Sequence, residues 1–113
     1  MTYLTLKQAM EDLGYECAFE TFSAFEKVPY TVIAYSFNSD VMADNQNFVN
    51  VPNYQLELYC EGRDPDEEKK VENELRRLGL PFFKSSTWIE EEKLYQTVYE
   101  IQMMGEEFNE QKE

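Results

Sequence analysis

Tyr54-Gln-Leu-Glu-Leu-Tyr-Cys60 alternates without a break: Tyr54, Leu56, Leu58 and Cys60 fall on one parity, Gln55, Glu57 and Tyr59 on the other. Successive side chains of a strand leave on opposite faces. The segment therefore belongs in an antiparallel sheet with one face on a core and the other turned away from it. A helix must follow almost at once. Asp64 is an N-cap residue, Pro65 fits the first helical position, and Glu67 stands at capping-box spacing. Val71, Leu75 and Leu78 form one apolar stripe, and Asp66–Lys70 and Glu72–Arg76 are spaced for surface ion pairs. Acids crowd the first turn and Arg76 and Arg77 the last, as the helix dipole favours, and Gly79 ends the helix.

The flanking segments supply the other elements. Leu6, Ala9, Met10 and Leu13 recur at helical spacing, with Thr5 as the expected cap and Gly14 as the stop. A short strand is expected within 15–25. Pro29 then opens a β-branched and aromatic strand over 30–37. Residues 38–53 form a polar connection. A connection of that length inside a compact domain is either functional or holds extra strand pairing. Two more strands, 82–89 and 94–104, flank a tip made of Glu90, Glu91, Glu92 and Lys93. In the second of them Tyr95, Thr97, Tyr99, Ile101 and Met103 share one face, opposite Gln96, Val98, Glu100 and Gln102.

The order helix, strands, helix, two strands predicts an α+β two-layer sandwich. Its sheet is mainly antiparallel, with four to five strands and two helices on one face. Gln55, Glu57, Tyr59, Gln96, Glu100 and Gln102 are expected on the open face. Residues 1–104 read as a single α+β domain and 105–113 as an acidic flexible C-terminal tail with Phe108 as its apolar anchor.

Charge narrows the function classes. The 113 residues carry 23 acids against 10 bases, a formal net charge of −13. Nucleic-acid affinity rests on Lys and Arg displacing counterions, so this chain repels phosphate backbones, and anionic membranes for the same reason. Solubility accounts for the excess, or else one acidic surface faces DNA or a basic partner. Cys17 and Cys60 read as small core hydrophobes. The region after Met1 is amphipathic rather than signal-like, so an intracellular setting with reduced thiols is expected.

The chemical inventory is thin. Without histidine the chain lacks the usual general base and the commonest metal ligand. Two cysteines far apart in sequence do not make a zinc site, and the four glycines form no phosphate-cradling loop. Carboxylates are plentiful, but Glu90, Glu91 and Glu92 sit at a turn, while Asp64, Asp66, Glu67 and Glu68 open a helix. Asp40, Asp44 and Asn45 match no calcium-loop spacing. The expectation is a protein that is not an enzyme, with no cofactor and no metal.

The chain resembles the tail-terminator (tail-completion, tail-to-head joining) proteins of long-tailed phages and Gram-positive prophages. The likeness rests on Pro29-Tyr30, Ala43-Asp44-Asn45, Tyr54-Gln-Leu-Glu-Leu-Tyr59, Asp64 and Glu68, and Leu75 and Gly79. Phe83-Lys84, Trp88-Ile89-Glu90, Tyr95 and Tyr99-Glu100-Ile101 complete it. The resemblance implies a structural protein, found in the host cytoplasm during assembly and then at the tail–head junction of the virion. It implies a ring of copies, commonly a hexamer, that caps the tail tube and docks it to the head connector while DNA passes through without specific binding. An acidic lining would keep that DNA from sticking, with Glu57 and Glu100 as channel-lining candidates. Ring contacts are head-to-tail and need two different patches. Met42, Asp44, Asn45, Phe48 and Val49 of the long connection are one candidate patch, although its apolar members equally suit tucking back onto their own domain. Tyr59 is a second candidate. Two rival readings are another head–tail neck or completion protein and an acidic DNA mimic that blocks a host DNA-binding enzyme.

Overall fold

The computed structural model describes residues 2–20, 27–38, 41–43, 46–49 and 52–102. In chain order the elements are α1 (Tyr3–Asp12), β1 (Cys17–Phe19), β2 (Tyr30–Asn38), β3 (Val41–Ala43) and β4 (Gln46–Val49). β5 (Pro52–Cys60), α2 (Pro65–Arg77), β6 (Phe82–Ile89) and β7 (Leu94–Gln102) follow.

Helix α1 starts a turn earlier than its apolar spacing predicts. Thr2, not Thr5, is the N-cap; its extended backbone lets the hydroxyl accept from the Leu4 amide at 3.2 Å. The earlier start brings Tyr3 onto Phe19, with ring centroids 4.0 Å apart. Both helices close in the same way. Gly14 (φ 102) and Gly79 (φ 73) take the left-handed conformation that favours glycine. The next residues reach back, Tyr15 N to Met10 O (3.1 Å) and Leu80 N to Leu75 O (2.9 Å). These are Schellman closures, and Tyr15 and Leu80 are buried against the core as that motif prefers.

Asp64 caps α2 as expected, accepting from the Glu67 amide at 3.3 Å. The reciprocal half of a capping box is absent, because the Glu67 carboxylate takes the Tyr15 hydroxyl instead. Lys70 sits 3.3 Å from Glu67 rather than beside Asp66, whereas Glu72 and Arg76 stand 3.9 Å apart at the expected spacing.

The main sheet has the order β1-β2-β5-β7-β6. β1 pairs with β2 in parallel, and every other pairing is antiparallel. Both helices lie on one face. Leu6, Ala9 and Met10 of α1 and Val71 and Leu75 of α2 meet Ile33, Leu56, Leu58, Tyr99 and Ile101 in a single core. Cys17 and Cys60 belong to it as free thiols. Part of the long connection forms an antiparallel two-stranded sheet of its own, β3 with β4.

The two edges of the main sheet differ. β1 is three residues long, whereas β6 is eight, and its centre is exposed from Phe83 to Trp88. The tail 105–113, Phe108 with it, and the end of the last predicted strand at Met103 and Met104 lie outside the described residues.

Candidate functional site

The face of the sheet away from the helices is laid out by register. One row across β2, β5, β7 and β6 is Tyr30, Tyr59, Gln96 and Thr87. The next is Val32, Glu57, Val98 and Ser85, and the third is Ala34, Gln55, Glu100 and Phe83. The alternation of β5 and β7 is thus realised as their sequence demands. The only charges in these rows are the carboxylates of Glu57 and Glu100.

Glu57 and Glu100 are differently placed. Glu100 is exposed, toward the β6 edge. Glu57 is half-buried between two valines. Its Oε1 accepts the Tyr59 hydroxyl at 2.8 Å, and that hydroxyl oxygen in turn accepts from Gln96 Nε2 at 2.8 Å. Burial raises the Glu57 carboxyl above the ordinary carboxylate range, and the Tyr59 hydrogen bond offsets only part of this. Tyr59 itself is pushed up, by burial first and then by its bond to Glu57. Its ring stacks on Tyr30 with centroids 4.9 Å apart and planes 19° apart. The result is an aromatic platform beside an oriented carboxylate.

At the sheet edge, Phe83 is 82% and Trp88 45% exposed. They lie on opposite faces, because Phe83 pairs with Glu100 and Trp88 with Tyr95. Trp88 Nε1 donates to Glu90, which also holds Lys93.

Two acids of α2, Glu68 and Glu72, are engaged on the helix-covered side. Glu68 is buried, and Lys84 reaches over from β6 to lie 2.6 Å from Glu68 and 2.7 Å from Glu72. Tyr99 donates to Glu72 at 2.9 Å. The sequence expectation gives Glu68 only a place among the acids that open the helix and does not foresee this network. The signal was present, since Glu68 precedes Val71 and Leu75 by three and seven residues and so falls on the apolar stripe. A carboxylate on such a stripe needs a charged or hydrogen-bonding partner.

Of the remaining candidates, Met42 belongs to β3 and Phe48 and Val49 to β4. Asp40, Asp44 and Asn45 lie outside the described residues. Among the described residues no group of three or more His, Cys, Asp or Glu side chains is arranged to hold a metal ion. No described helix is long and apolar enough to cross a membrane. No family model matches the chain, and no curated protein matches it in sequence.

Proposed function

We propose that the chain is a structural subunit of a long-tailed phage or prophage particle, a tail terminator that caps the tail tube and joins it to the head connector. The observation that carries this reading is the one-sided sandwich. Both described helices pack on one face of the five-stranded sheet, while the other presents a mixed surface that carries Glu57 and Glu100 and ends in a long exposed edge strand. The resemblance carried by residues between Pro29 and Ile101 supports it too. Such a molecule acts by fitting against neighbours: copies of itself in a ring, the tube protein below and the connector above. DNA passes through the ring, and net charge −13 disfavours its adhesion. Glu100, exposed on the open face, is suited to line the bore.

The test is to add the purified chain to tail tubes assembled without a terminator and to image the tube ends by electron microscopy. A ring on one end, with arrest of further tube growth, is the expected result. Bare, growing tubes would remove the terminator role. Binding to a head connector alone would move the chain to a neck position, and tight capture of a DNA-binding enzyme would favour mimicry of nucleic acid.

A further inference from the structure

Three features of the open face are suited to a cation. Glu57 is a carboxylate with an oriented oxygen, flanked in register by Val32 and Val98. The Tyr30–Tyr59 stack lies beside it. No ion pair within 4 Å reaches Glu57 among the described residues, although acids elsewhere capture most of the described cations. A planar guanidinium fits such a place better than an ammonium, because it can bond a carboxylate with its fork while stacking on a ring.

The chain has three arginines. Arg76 lies against Glu72 and over the Phe82 ring, and Arg77 is held by Glu74. Arg63 remains, exposed on the turn between β5 and α2 and without an ion pair among the described residues. It lines a cleft with Val28, Pro29 and Cys60 at the end of the sheet.

We propose that Glu57 and the Tyr30–Tyr59 stack of one subunit receive Arg63 of a second copy of this chain. The ring proposed above needs this contact to repeat head-to-tail from subunit to subunit, rather than to occur twice about a two-fold axis as in a closed dimer. This pairing rests on that assembly and is the contact that builds it. Burying the guanidinium against Glu57 compensates a carboxylate that the valines already keep partly from water. That is how interfacial arginines become dominant residues.

The experiment is native mass spectrometry and sedimentation velocity on the full chain, from micromolar to about millimolar concentration, with no tube present. Wild type is expected to form head-to-tail oligomers. Arg63→Glu and Glu57→Gln are each expected to shift half-association upward by about tenfold or more. Circular dichroism verifies that both variants are folded, and the isosteric Glu57→Gln guards against a folding artefact. An equimolar mixture of Arg63→Glu and Glu57→Arg is expected to form mixed oligomers that neither variant forms alone. A wild type that stays monomeric throughout, single variants that associate as wild type does, or a mixture that stays apart would each overturn the contact. A chain that makes the contact yet never caps a tube loses the tail role and keeps the contact; the converse result loses only the contact.

Discussion

The Lys84 ammonium lies 2.6 Å from Oε1 of Glu68 and ties the exposed edge strand to the inner side of α2. Glu68 is 4% exposed, and its other oxygen, Oε2, has no hydrogen-bond partner. The carboxylate therefore depends on this one cation. Removing one partner of a buried pair costs about 3–5 kcal/mol, but 34% of the Lys84 side chain remains in solvent, which screens the loss. Lys84→Met should lower stability by roughly 2 kcal/mol in urea denaturation at pH 7. Adding Glu68→Gln should restore part of that loss, since no buried charge is then left unpaired. Equal stability of wild type and Lys84→Met would mean that the pair contributes nothing.

Two carboxylates should give opposite pH slopes. Burial alone would raise Glu72, but hydrogen bonds from Lys84 and Tyr99 outweigh it and hold the group below the usual range. Its contribution is present above the ordinary glutamate value of about 4.3 and is lost as pH falls through the folded value. Burial holds Glu57 above that range. Its penalty is absent below about 4.3 and complete once pH has risen past the folded value. Glu57→Gln should thus raise the melting temperature of the monomer at pH 7, with the gain vanishing on acidification. Glu72→Gln should lower it at pH 7 and have little effect in acid. Thermal unfolding of both variants across this range checks the signs.

The thiols should be inert in the folded chain. Burial pushes Cys60 up to about 11, with Asp64, Glu67 and Glu68 adding to it, and burial raises Cys17 as well. At pH 8 the Cys60 thiolate fraction falls by about a hundredfold relative to an ordinary cysteine, and alkylation should slow by at least that factor. A timed iodoacetamide pulse read by intact mass, native against urea-unfolded, measures it. Rapid native labelling of Cys60 would show that β5 opens at this end.

The cap of α2 is the cheapest contact to remove. Asp64→Ala frees the Glu67 amide and should cost about 1 kcal/mol, while Asp64→Ser or Asp64→Asn should recover most of it. Chemical denaturation resolves that difference. A loss near zero would mean that solvent serves the helix end as well as the aspartate does.

Elements whose signals are local were legible along the chain. The alternation from Tyr54 to Cys60 and from Tyr95 to Ile101 set which side chains are buried, because a strand has no other way to divide its faces. Asp64, Pro65 and Gly79 set the limits of α2 through backbone chemistry at the helix ends. Tertiary structure alone decided what depends on distant partners. Tyr3, set at the helix start by the Thr2 cap, meets Phe19; β1 lies parallel to β2; and Lys84, sixteen residues after Glu68, neutralises it across two elements. Spacing along a chain fixes which face a residue takes. What it meets there depends on how the sheet and helices pack, and one-dimensional periodicity carries no trace of that.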